Sequence, residues 1–107
     1  MDKALRYLAL AVKAGRLTVG AEDCAKSRKK GTGFLLLTAA DASGNTIRQA
    51  EEMSRSKNTA LARTIYTKQQ IAHAIGRSNP VAVAMICDQG LAEAFAAAVA
   101  GTQEQEE

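Results

Sequence analysis

Tryptophan is absent, proline occurs once, at Pro80, and only four aromatic residues, two Tyr and two Phe, appear in 107 residues. With so few rings the core must be built from Leu, Ile, Val and Ala. Few rings also leave little to stack bases on, which argues against an aromatic RNA platform or an OB-type groove. Two cysteines, Cys24 and Cys87, make neither a disulfide framework nor a zinc site by themselves. Both read as small core hydrophobes of a reduced, cytoplasmic protein. The single histidine, His73, excludes a multi-histidine metal site and reads as an ordinary surface or half-buried residue between Ile71 and Ile75. No run of about 18 apolar residues exists, so a membrane-spanning helix is excluded. The apolar stretch Ala4–Val12 is broken by Arg6 and preceded by Asp2, which argues against a secretory signal.

Catalytic signatures are missing too. There is no glycine-rich phosphate loop ending in Gly-Lys-Ser/Thr, no Gly-x-Gly-x-x-Gly after a strand and no Gly-x-Ser-x-Gly turn. Glu22-Asp23 and Glu51-Glu52 are sequence neighbours on expected helices, so each pair diverges by about 100° and is badly placed to share a proton. No enzyme, cofactor or metal is expected.

What is present is an ordinary globular composition, 47% hydrophobic and 23% charged, with an uneven charge distribution. All 14 basic residues lie in residues 1–80 against six acids, a net of +8; residues 81–107 hold five acids and no base, a net of −5. A net of +8 over 80 residues suggests a surface facing a polyanion. Solubility and helix-end charge matching account for the same numbers. The length fits one domain, expected over residues 1–100, followed by a mobile acidic tail over 101–107.

Helices and short apolar strands alternate along the chain. Leu5, Leu8, Ala9 and Val12 follow helical spacing over residues 2–13, and Gly15 stops that helix. Leu17–Val19 reads as a short strand, and Gly20 precedes a second helix that Gly31 ends. Phe34–Thr38 suits a strand buried on both faces. Ser43 or Asn45 can cap a third helix reaching about Lys57, and Leu61–Tyr66 reads as a strand. Thr67 with Gln70 forms a capping box for a fourth helix closed by Gly76. Val81–Ile86 is the cleanest strand, and Asp88 caps a final helix over residues 89–100. The pattern predicts an α/β fold: a three-layer α-β-α sandwich of about four mixed strands and five helices.

The second helix carries the clearest functional pattern. At 100° per residue, Glu22, Asp23, Lys26, Lys29 and Lys30 share one third of its circumference, and Ala21, Cys24 and Ala25 lie opposite. Lysines can neutralise phosphates while carboxylates accept hydrogen bonds from exposed base edges. Acids first and bases last is also what the helix dipole prefers without any ligand.

The run Ala14-Gly-Arg-Leu-Thr-Val-Gly-Ala-Glu-Asp-Cys-Ala-Lys26 resembles the opening of the ribosomal L-seven-Ae/L-thirty-e superfamily of kink-turn RNA-binding proteins. Three further segments agree in order and spacing: Phe34-Leu-Leu-Leu-Thr-Ala-Ala-Asp-Ala42, Thr67-Lys-Gln-Gln-Ile-Ala-His-Ala-Ile-Gly-Arg77 and Val81-Ala-Val-Ala-Met-Ile86. The likeness covers about residues 3–95 and looks strongest to the small bacterial members often called YlxQ-like. It implies the same sandwich and a non-catalytic RNA-binding protein, ribosomal-protein-like, recognising a kink-turn or similar structured RNA.

The family's Gly-x-Asn-Glu-x-x-Lys motif falls here on Gly20, Glu22, Asp23 and Lys26. Its second contact falls on the loop Gly76-Arg77-Ser78-Asn79-Pro80-Val81, with Ala40–Ala42 in a neighbouring loop. Lys29 and Lys30 are assigned to phosphates, with Arg16 and Lys68 at the rim. Two substitutions depart from the motif. Ionised Glu22 only accepts hydrogen bonds where Asn both donates and accepts, and facing a guanine O6 it would cost about 1–3 kcal/mol. Asp23 is one methylene shorter than the family's Glu. The implied partner is structured RNA, ribosomal or kink-turn, with ribosome association, a monomeric state, no membrane and no DNA specificity. The alternative is a protein-interaction module on the same fold that has lost kink-turn recognition.

Overall fold

The structure, a computed structural model, describes residues 2–29, 33–57 and 59–105, and their side chains except at 28–29, 56–57 and 102–105. The element order is α1 (Lys3–Lys13), β1 (Leu17–Val19), α2 (Ala21–Lys29), β2 (Leu35–Thr38), α3 (Gly44–Lys57), β3 (Ala60–Arg63), α4 (Lys68–Ala74), β4 (Val83–Ile86) and α5 (Gln89–Gln105). The four strands form one sheet in the order β1-β4-β2-β3. β4 runs antiparallel to both β1 and β2, and β2 runs parallel to β3. The expected mixed four-stranded sheet with five helices is therefore the fold.

Strand alternation divides the core in two. Leu35, Leu37, Ala84 and Ile86 face one side, where Leu8 of α1, Ile71 of α4 and Phe95 and Val99 of α5 close over them. Leu36, Val83 and Met85 face the other, against Cys24 of α2 and Ala50 and Met53 of α3. This is the α-β-α sandwich.

Asp2 starts α1 by accepting the Ala4 N–H (2.8 Å), and its Oδ1 also takes the Tyr66 hydroxyl (2.6 Å). The buried stripe of α1 is Ala4, Leu8 and Ala11, rotated from the expected Leu5, Leu8, Ala9 and Val12; Val12 is 40% exposed. Small side chains at positions 4 and 11 let α1 lie close to its neighbours, which periodicity weighted by bulk does not anticipate.

Ser43, rather than Asn45, caps α3, accepting the Thr46 N–H (3.1 Å). The capping box of α4 is complete: Thr67 Oγ1 accepts the Gln70 N–H (3.1 Å) and Gln70 Oε1 accepts the Thr67 N–H (2.8 Å). Thr67→Ala is expected to cost about 1 kcal/mol in urea unfolding, since it strands one of those donors.

Several boundaries differ from expectation. The third strand ends at Arg63 rather than Tyr66: the Thr64 N–H makes the last ladder bond to Thr38 O (3.0 Å), its hydroxyl caps the same oxygen (2.8 Å), and Tyr66 beyond it is buried in the core. The last strand starts at Val83 rather than Val81, whose N–H goes to Lys68 O (3.2 Å) instead of a ladder. All four residues of β2 are buried, but Phe34, expected within that strand, lies just before it and is 44% exposed. The final helix passes the boundary expected at residue 100 and runs through Gly101 to Gln105. Gln and Glu are good helix formers, so the absence of apolar side chains does not itself end a helix. Glu106, Glu107 and the expected stop at Gly31 lie outside the described residues.

Candidate nucleic-acid interface

Gly20 joins β1 to α2 with φ +94, a conformation that side chains disfavour. Its N–H continues the ladder to Val83 O (3.0 Å), and its carbonyl accepts the first helical bond of α2, from Cys24 N–H (2.9 Å). The N–H groups of Ala21, Glu22 and Asp23 precede that bond and have no acceptor within the helix. They give the start of α2 a partial positive charge.

α2 is seated by its inner face. Cys24 is buried, with its thiol toward Thr18 O (3.7 Å), and Ser27 Oγ meets Thr18 Oγ1 (3.0 Å). That leaves Glu22, Asp23 and Lys26 exposed on the outer face, as the helical spacing predicts. Lys26 Nζ lies 3.8 Å from Glu22 Oε1, one turn earlier. Both groups are well solvated, so this pair is weak and yields readily to a phosphate. The Lys29 side chain and all of Lys30 lie outside the described residues.

The loop before β4 lies beside this helix. Gly76 (φ +76) ends α4, the Arg77 N–H donates to Ala72 O (2.8 Å), and Gly76, Arg77, Ser78, Asn79 and Pro80 are exposed. Val81 differs from its assigned contact role: it is buried in the core and seats the loop instead of offering surface. Arg77, Asp23, Lys26 and Ser27 line one open groove of about 390 Å³ with Leu17, Thr18 and Val19 of β1 as its floor. The two separate sequence segments thus meet in one cationic trough. Thr18 and Ser27 were not legible as part of it; the only hint was one polar residue between Leu17 and Val19.

The neighbouring loop is tied in as well. Asp41 Oδ1 accepts the Lys68 N–H (2.8 Å), joining the turn after β2 to the start of α4. Lys68 is half-buried there, while Arg16 is exposed at the opposite end of β1 from Gly20.

Burial pushes the Cys24 thiol up to about 12, with Cys87 and Asp23 adding to the shift. Cys24 should therefore resist iodoacetamide at pH 8 in the folded protein while half-buried Cys87 reacts, read by mass spectrometry. Because the folded thiol holds its proton above its ordinary 9.0, the unfolded chain ionises first. Stability attributable to Cys24 is complete below pH 9 and falls between pH 9 and about 12, by no more than about 1.4 kcal/mol per pH unit.

His73 is exposed and shares a shallow depression with Asp2, Leu5 and Gln70. The Asp2 carboxylate there is already engaged by Tyr66 and Ala4. Among the described residues no group of three or more His, Cys, Asp or Glu could hold a metal, and no helix is long and apolar enough to cross a membrane.

A four-stranded mixed sheet between two helical layers, with a charged trough built from the start of the second helix and the loop before the last strand, defines a three-layer α/β domain. The chain belongs to the ribosomal protein L7Ae/L30e/S12e/Gadd45 family, whose model matches residues 2–96. A solved protein of unknown function from Bacillus halodurans C is similar over 94% of this chain and 99% of its own, at 25% identity and a TM-score of 0.86. The Giardia lamblia 15.5kD RNA binding protein shares the fold at 22% identity and a TM-score of 0.73, over 95% of this chain and 86% of its own. No curated protein sequence matches the chain.

Proposed function

We propose that this protein binds structured RNA of the kink-turn type, docking the start of α2 and the 76–80 loop onto a bent backbone. The observation that carries this reading is the shared trough: Asp23, Lys26 and Arg77, distant in sequence, line one groove. In the proposed roles Gly20 admits close backbone approach, and Glu22 and Asp23 accept from base edges. Lys26, Lys29, Lys30 and Arg77 hold phosphates, and Ser78, Asn79 and Pro80 border the second strand of the RNA. Family membership supports RNA as the ligand. Glu22 and Asp23 at the motif's Asn and Glu positions make relaxed discrimination among kinked RNAs the expected behaviour. A monomeric, cytoplasmic, ribosome-associated protein completes the reading.

Gel shifts with kink-turn, kink-loop and plain duplex RNA at one near-physiological salt concentration test it. Binding to the kinked RNAs over duplex is expected. With three to five phosphates neutralised, log K should fall against log salt with a slope of roughly −2 to −4. Salt-independent affinity, or no shift by any RNA at micromolar protein, would reject the proposal.

A further inference from the structure

We propose that the free edge of β1 takes an extended peptide segment bearing acidic side chains, which joins the sheet as a fifth strand. This goes beyond RNA binding and stands independently of it. Among the described residues β1 is outermost in the sheet and pairs with β4 alone, in the register Leu17↔Ile86, Thr18↔Met85, Val19↔Ala84. Immediately beyond the strand, Gly20 N–H bonds to Val83 O and Cys87 N–H bonds to Arg16 O. Antiparallel ladders alternate, so residues 16, 18 and 20 point their backbone groups at β4. Leu17 and Val19 therefore point their N–H and C=O groups the other way, into the groove. Two donors and two acceptors stand open there at strand spacing, the pattern that an added strand satisfies.

Among the described residues, none covers or blocks this edge. Leu17, Thr18 and Val19 are all only half-buried, and they form the floor of the open groove described above. Its rim sets the partner's chemistry. Lys26 and Arg77 line the groove beside the carboxylate Asp23, and exposed Arg16 flanks β1 at the end away from Gly20. Glu22, 3.8 Å from Lys26, lies outside the lining and leaves Arg77 and Arg16 as cations with no ion pair among the described residues. The complement of this rim is negative. A segment of four or five residues with acidic side chains at alternate positions would place its carboxylates along one side of the new strand. A short edge and solvated charges make the interaction reversible, and because Lys26 and Arg77 are shared with the proposed RNA site, RNA and peptide should compete.

The test uses the full chain, 15N-labelled, and a fluorescein-tagged peptide of alternating Thr/Val and Glu. Titration should shift the Leu17 and Val19 amides and slow their hydrogen exchange. Replacing Glu by Lys in the peptide should weaken binding at least about tenfold. N-methylating alternate peptide amides should abolish binding in one register and spare it in the other, the signature of a strand ladder. Val19→Pro removes one groove-facing donor while leaving the β4 bonds, and should lose the peptide without losing the fold by circular dichroism. If that variant does not fold, the N-methylated peptides decide alone. Unshifted Leu17 and Val19 amides, or binding indifferent to N-methylation, would overturn the proposal. So would protection of those amides by single-stranded RNA but not by peptide. RNA gel shifts on the unmodified chain are read separately, so failure here leaves the RNA reading standing, and the converse holds.

Discussion

Replacing Lys26 and Arg77 together by Ala is expected to weaken binding to kink-turn RNA by roughly 10- to 100-fold at about 0.15 M salt. Both side chains line the groove between β1 and α2, and among the described residues the one ion pair either makes is the 3.8 Å contact of Lys26 to Glu22. Each replaced cation should also remove a little under one unit from the slope of log K against log salt. The double variant should therefore lose both affinity and salt sensitivity. Its thermal stability should hardly change, because surface positions of this kind contribute little to folding. Arg55→Ala on α3, an exposed cation that does not line the groove, is the control and should leave affinity and slope in place. Equal losses from Arg55→Ala and from the double variant would mean that RNA is held by overall charge, not by this trough.

The largest stability effect is expected from Phe95→Ala. Phe95 is fully buried and is the largest such side chain in the core. It packs in the cluster where α1, α4 and α5 meet the sheet residues Leu35, Leu37, Ala84 and Ile86. Truncation removes the ring and leaves a cavity that three helices and a sheet cannot jointly close, at a cost of about 3–5 kcal/mol. Against a typical total of about 5–15 kcal/mol for a domain, that is a large share. Urea unfolding should show a lower midpoint with an unchanged slope, and loss of less than about 1 kcal/mol would mean that the cluster repacks around the gap.

The two predictions probe different layers of what the chain encodes. The layers of the fold were legible because apolar runs and helical spacing alternate clearly: Leu35–Thr38 and Val83–Ile86 are buried on both faces of the sheet. The α4 start was legible to the residue, since a capping box is a local device with one geometry. Local pattern failed where a distant partner overruled it. Tyr66 turns into the core and gives its hydroxyl to Asp2, Val81 gives its N–H to Lys68 O, and the α1 stripe turns toward small alanines. In each case the competing interaction comes from elsewhere in the chain, and no local window contains it.

The site divides along the same line. Sequence alone determined that Glu22, Asp23 and Lys26 share a helix face, because 100° per residue is a property of the backbone. It also determined that the basic residues crowd the first 80 positions. Only the tertiary structure decided that Arg77, 51 positions beyond Lys26 in the chain, stands over the same groove, and that β1 is an edge with its backbone open. Those facts depend on the strand order β1-β4-β2-β3. That order arises when four strands and five helices bury their apolar faces together, a choice made by the whole core and written in no single segment.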